Sequence, residues 1–266
     1  MRSILLLPMF FLFVGKFFAQ SNLKHLYTIS HKKIQKVAVD NLLNVYSLTD
    51  SEIKKYNRQD TLFTRFSELN YGEIYSADFS NPMRITVFYR DFNKLIILDN
   101  TLNYLRNPID LIEDGYNQIH SVCSSYDGGI WMYSRENFTL DRYTINFQKD
   151  RTVPNLNTII DSDLEVVSML EKDNKLYLLA DNGTLYIFDI FGAYIKSLPL
   201  EIKKEFAVFS NIVYWLKNDE LNAYDLSMFT ERRISLPIKD VKAFSIHSNR
   251  VVLLTTDKLT VYSIEN

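Results

Sequence analysis

One pattern limits what this chain can become more than any other. A unit of three short strands recurs along it, separated by polar turns. Its second strand carries a marker residue near its start, and its third ends in an aromatic. Five copies read directly, with marker and aromatic at Tyr46 and Tyr56, Trp131 and Tyr143, Tyr177 and Phe188, Tyr214 and Tyr224, and Val252 and Tyr262. The steps are 10, 12, 11, 10 and 10 residues. A sixth, less regular copy runs through Ile85-Thr86-Val87-Phe88-Tyr89 to Leu95-Ile96-Ile97-Leu98.

A short apolar run precedes each copy, near Val37, Ile74, Ile119, Val166, Phe206 and Val241. Five steps cover 204 residues, a mean of about 41. That period belongs to propeller blades and not to helical or leucine-rich repeats. Runs such as Lys175-Leu176-Tyr177-Leu178-Leu179 are short and nearly all apolar, as a strand buried on both faces requires. The abundance of Tyr and Phe, 17 and 18, favours strands. Gly and Pro number only 7 and 6, so Asn, Asp and Ser must build the turns. The fold expected is an all-β, six-bladed β-propeller with four-stranded antiparallel blades and minimal helix.

The last blade has three strands of its own, ending near Ile264. The alternating segment His25-Leu26-Tyr27-Thr28-Ile29 precedes the first blade without belonging to it. Pairing the two would close the ring and remove an exposed edge. Residues 20–266 are accordingly read as a single propeller domain.

Residues 1–19 read as a secretory signal peptide. Arg2 precedes an apolar run of 11 residues, Ile4–Val14, and Ala19 offers a cleavage site, although Phe17 stands where a small residue is preferred. That run is short for a membrane span, and no later stretch approaches 18 apolar residues. The expected localisation is export to the periplasm or the extracellular space, with no transmembrane segment in the mature chain. Charge is nearly balanced, 30 Lys plus Arg against 32 Asp plus Glu, and removing residues 1–19 leaves 28 against 32. A mildly acidic chain has no general attraction for phosphate backbones, so nucleic acid is not an expected partner. The single cysteine, Cys123, forms no intrachain disulfide and reads as a buried strand residue.

Val37-Ala38-Val39-Asp40-Asn41-Leu42-Leu43-Asn44-Val45-Tyr46 resembles the start of an NHL- or YVTN-like blade, and Ile53-Lys54-Lys55-Tyr56 its third strand. Asp127-Gly128-Gly129-Ile130-Trp131-Met132 resembles the core motif of two-component-regulator propellers, one residue off in its Gly-to-Trp spacing. Asn81–Tyr89 with Leu98-Asp99-Asn100-Thr101-Leu102 resembles a group of uncharacterised exported bacterial propeller proteins. These resemblances imply a fold and not an activity, because propellers host unrelated functions.

No catalytic signature accompanies the repeats. The four histidines, His25, His31, His120 and His247, show no metal-ligand spacing, and no metal or cofactor is expected. Ser125–Trp131 also resembles the Asp-box of sialidase propellers, a structural turn remote from chemistry. Asp40, Asp78, Asp127 and Asp173 recur just after first strands and read as turn residues. The sequons at Asn137 and Asn182 matter only in a glycosylating pathway.

Propeller partners usually use the face formed by the loops between second and third strands and the linkers between blades. Tyr71, Arg90, Phe92, Tyr116 and Arg135 fall there and are side chains of the kind enriched at interaction hot spots. They are the candidate binding residues. The function expected is a non-enzymatic exported module that binds or scaffolds another envelope or extracellular protein, or a glycan. The alternative is a propeller enzyme, such as a lyase, hydrolase or quinoprotein, with its site in the central channel. An ionisable cluster in that channel favours the enzyme, and an apolar plug favours the scaffold.

Overall fold

The structure, a computed structural model, describes residues 23–265 apart from 31–32, 114 and 117–118. The leader assigned to residues 1–19 lies outside the described residues.

Six four-stranded antiparallel sheets form the blades of a propeller. Blade one comprises Lys36–Val39, Val45–Leu48, Glu52–Tyr56 and Leu62–Ser67. Blade two comprises Ser76–Asp78, Ile85–Tyr89, Lys94–Leu98 and a short Ile109–Asp110. Blade three comprises Ile119–Ser124, Ile130–Ser134, Thr139–Tyr143 and Lys149–Val153. Blade four comprises Val166–Lys172, Lys175–Ala180, Thr184–Asp189 and Tyr194–Pro199. Blade five comprises Phe206–Phe209, Ile212–Lys217, Glu220–Asp225 and Thr230–Ser235. Blade six comprises Ala243–His247, Arg250–Leu254, Lys258–Ile264 and, from the other end of the chain, Leu23–Ser30.

That last pairing runs from Leu23 opposite Ile264 to Ser30 opposite Lys258. It contains the expected closing segment, extended at both ends. The seam is also stitched to blade one, where the Arg250 guanidinium donates to the carbonyl of Leu43 and the amide of Val39 donates to Ser245 Oγ at 3.0 Å.

Strand position dictates composition. Second and third strands lie between neighbouring blades, so Ile85–Tyr89 and Ile130–Ser134 are buried at every residue. Fourth strands face outward, and Thr230–Ser235 is exposed almost throughout. Tyr46, Trp131, Tyr177 and Tyr214 hold equivalent places on second strands, opposite Ala38, Cys123, Leu170 and Ala207 of the first. All four are buried and pack toward the following blade. A large ring at this position fills the wedge between blades, opposite a small residue in three of the four (Ala38, Cys123 and Ala207) and Leu170 in the other.

Asn, Asp and Ser do supply the hairpins. Asp173-Asn174, Ser210-Asn211 and Asn218-Asp219 each form a two-residue turn with both φ angles positive, between 50° and 63°. This is the left-handed geometry that matches strand twist. In the longest linker the described structure has a single helical turn, Leu156–Thr158. It buries Leu156 against the core shared by blades three and four.

Candidate functional site

The antiparallel meander sorts connections onto two faces. Turns between first and second strands, and between third and fourth, share one end of the blades and form the turn face. Second-to-third loops and inter-blade linkers share the other, the linker face. First strands converge on the axis and wall a central channel of about 540 Å³.

The channel wall is mixed: Val37, Val39, Val122, Met169, Val208 and Ile246 line it together with Ser76, Ser121, Ser168 and Ser245. Its linker-side mouth is charged. Lys36 enters from blade one, Lys204 and Glu205 from the lead-in to blade five, and Lys242 from the lead-in to blade six. Glu205 accepts a hydrogen bond from the amide of Phe244 at 2.9 Å. Burial pushes its carboxyl up to about 7, against the opposing pull of that amide, Lys36 and Lys204. Burial likewise draws the Lys36 ammonium down, while Glu205 acts in the opposite sense. Lys36 Nζ donates to the Tyr75 carbonyl at 2.8 Å. Tyr75 itself reaches from blade two past blade three, donating its hydroxyl to the Val167 carbonyl at 3.3 Å. The Arg90 guanidinium stacks on its ring at 4.0 Å.

At the turn-side mouth, a second cavity of about 580 Å³ is lined by Asn41, Ser80, Ser124, Tyr126, Lys172 and Asp173, among others. The acids beside it hold turns and blades together, as expected of turn residues. Asp40 accepts the Tyr46 hydroxyl at 2.8 Å. Asp78 accepts the amides of Ser80 and Ser124, both at 2.8 Å. Asp127 accepts the Gly129 amide at 3.0 Å and pairs with Arg142 at 2.6 Å. Asp173 accepts the Asn211 amide at 2.8 Å. Glu171 takes three donors from blade three: Ser125 Oγ at 2.7 Å, the Tyr126 amide at 2.8 Å and Trp131 Nε1 at 2.7 Å. The Asp-box-like turn is thus a blade clip. His247 faces the channel near this end, lowered by burial and by Lys172.

The five residues selected from sequence all lie on the linker face around blades one to three, with Arg90 and Phe92 in one loop of blade two. Tyr71 meets the Tyr89 ring edge-on at 5.8 Å. Tyr116 packs likewise on Tyr143 at 5.1 Å. Arg135 pairs with Glu165. Arg90 alone stands at the channel mouth, through Tyr75. Phe92 is the one large hydrophobic of the set left exposed, at 50%.

Two groupings escaped sequence reading. The channel-mouth set gathers where first strands begin: Lys36 opens its strand, and Tyr75, Glu205 and Lys242 each stand one residue before theirs. That register was the available signal. The other grouping is apolar and lies on the turn face: Leu42, Met83, Tyr126, Ile145, Phe191, Met228 and Phe229 are exposed there, across blades one to five. Among the described residues the linker face exposes Leu69, Phe92 and Ile112. Several turn-face side chains are braced. Arg151 stacks on Phe191 at 5.2 Å and Lys196 on Phe229 at 4.7 Å, each from the outer strand of the preceding blade. Arg84 joins two turns by donating to the Gly128 carbonyl at 2.8 Å and the Ile145 carbonyl at 3.4 Å.

No protein-family model and no curated protein matches the chain. Solved structures match over nearly its whole length. The WD40 domain of Neurospora crassa Pan2 aligns with a TM-score of 0.61 and 9% identity, covering 92% of this chain and 96% of that one. Streptogramin B lyase aligns at 0.62 and 10%, covering 91% and 97%. BamB from Moraxella catarrhalis aligns at 0.55 and 11%, covering 91% and 100%. At such identities the likeness is one of fold, and the chain is a β-propeller by structure. The neighbours include a lyase and proteins of other kinds, so fold alone does not choose a function. Among the described residues no helix is long and apolar enough to cross a membrane.

Proposed function

We propose that this chain is an exported, non-enzymatic propeller that binds a protein partner of the cell envelope through its turn face. The observation that carries the reading is the run of seven exposed apolar side chains on that face, from Leu42 to Phe229. Large apolar groups gathered on one side of a monomer mark interaction surfaces. Rings already held by cations, as Phe191 and Phe229 are, lose little freedom when a partner covers them, which favours affinity. The export signal at residues 1–19 and the NHL-like character of the repeats belong to the same proposal.

The test is site-specific photo-crosslinking in the native envelope, with the crosslinking residue at Phe191, at Met228 and, on the opposite face, at Phe92. The reading expects one discrete protein adduct from Phe191 and Met228. Adducts from Phe92 alone would transfer the interface to the linker face and the five residues there. Crosslinks to lipid alone would replace the protein partner by a membrane surface.

A channel-centred enzyme is the second reading, favoured by the ionisable set at Lys36, Lys204, Glu205 and Lys242. The channel has a wall of mixed polarity and a charged mouth, so it supports each reading in part.

A further inference from the structure

We infer that the linker-side half of the channel is a binding site for a small organic anion. Its acid group would sit at Lys36, Lys204 and Lys242, and its apolar part against the mixed wall of the first strands. The cavity, about 540 Å³, falls in the range of sites that enclose small molecules, roughly 300–1,000 Å³.

The charge arrangement selects the ligand's sign. Lys36, Lys204 and Lys242, from three separate parts of the ring, meet at the linker-side mouth with one carboxyl, Glu205, while Lys172 and Asp78 line the cavity farther along. Lys36 Nζ is bonded to a neutral carbonyl, that of Tyr75. Lys204 acts on the Glu205 carboxyl from a distance, against its burial. Like charges collected around one channel mouth repel one another and focus a positive field. An incoming anion relieves that repulsion.

The wall suits an organic anion. Val37, Val122, Val208 and Ile246 line the cavity beside Ser76, Ser121, Ser168 and Ser245, a mixed surface against which an aliphatic or aromatic tail loses contact with water. Tyr75, tied to Val167 and backed by Arg90, supplies one flat wall at the mouth.

Glu205 makes the site sensitive to pH. One of its oxygens holds the Phe244 amide, and the carboxyl titrates near neutrality. Protonated, it can donate to the ligand's acid group; ionised, it repels that group. The charged and titratable groups facing it are Lys36, Lys204 and Lys242, with Tyr75 and Arg90 beside them. Lys172, His247 and Asp78 lie along the same cavity toward its far end.

The test uses the mature chain with hexanoate and benzoate as probes and hexylamine and inorganic phosphate as controls, measured by calorimetric titration at pH 6 and pH 8. Saturable hexanoate binding is expected, approaching about tenfold tighter at pH 6, the ratio set by the protonated fraction of a group titrating near 7. Glu205→Gln should keep the binding and flatten its pH dependence. The double variant Lys204→Met/Lys242→Met, which alters exposed side chains, should weaken binding at least about tenfold. No saturable binding of either carboxylate would overturn the inference, as would unchanged binding in the double lysine variant. Hexylamine or phosphate binding as tightly as hexanoate would overturn it too.

Discussion

Thr28 and Thr260 face each other across the seam of the ring, their hydroxyls 3.4 Å apart although 232 positions separate them in the chain. Around them Tyr27 and Ile29 pack into the cluster that Val252, Leu259 and Val261 share with blade one. The N-terminal strand is therefore both an edge cover and part of a core. Deleting residues 20–31 should bare the outer edge of Lys258–Ile264 and remove apolar burial worth roughly 1.5–3 kcal/mol per large side chain. We expect a melting temperature lower by about 5–10 °C, or association through the bared edge, measured by calorimetry and light scattering. A truncated protein that stays monomeric and melts like the mature chain would contradict closure by this strand.

Glu171 should be the costliest acid to lose. It is buried and holds three donors of blade three, among them Trp131 Nε1. Glu171→Ala leaves those donors without partners, at about 1–3 kcal/mol for each group left unsatisfied. A loss above about 3 kcal/mol is expected in urea unfolding, with Glu171→Gln retaining part of it because an amide oxygen still accepts. If Glu171→Ala cost less than about 1 kcal/mol, the clip would not be a stabilising one.

Cys123 should be silent until the protein unfolds. It is fully buried beside Trp131, and burial drives its thiol well above the ordinary range. A thiolate is the reactive form, so both exposure and ionisation oppose labelling. An aromatic disulfide reagent at pH 8 should react only at the rate of global unfolding and fully in denaturant. Rapid labelling of the native protein would mean that the inter-blade core opens locally.

Glu205 should make stability fall as pH rises. Its folded-state value is raised from 4.5 to about 7, so between those limits the folded chain binds more protons than the unfolded one. Stability then declines across roughly pH 4.5 to 7, and the penalty is complete above 7. The full shift corresponds to at most about 3 kcal/mol, less as channel water screens the charge. Glu205→Gln should stabilise the protein at pH 8 and leave it unchanged at pH 4, read from paired denaturant melts. An equal effect at both pH values would assign the change to packing.

What the sequence determined by itself was whatever each blade must repeat. Every blade meets its neighbours through the same wedge, so Tyr46, Trp131, Tyr177 and Tyr214 recur in register, and the recurrence alone yields the blade number. Chain order also exposed the unpaired segment at His25–Ile29, because a three-stranded last blade needs a fourth. Site chemistry was different. Lys36, Glu205 and Lys242 are far apart in the chain and individually ordinary, and only closure of the ring turns them onto one axis. Met83 sits in a first-to-second-strand turn and Ile145, Phe191 and Phe229 in third-to-fourth-strand turns, so only the arrangement of the blades puts them on one face. Tyr71 and Tyr116 looked available in sequence, yet the fold supplies each with an aromatic neighbour. Local packing rules act on near neighbours and leave a periodic trace. Convergence at an axis or on a face depends on how the blades are arranged in space, which only the tertiary structure decides.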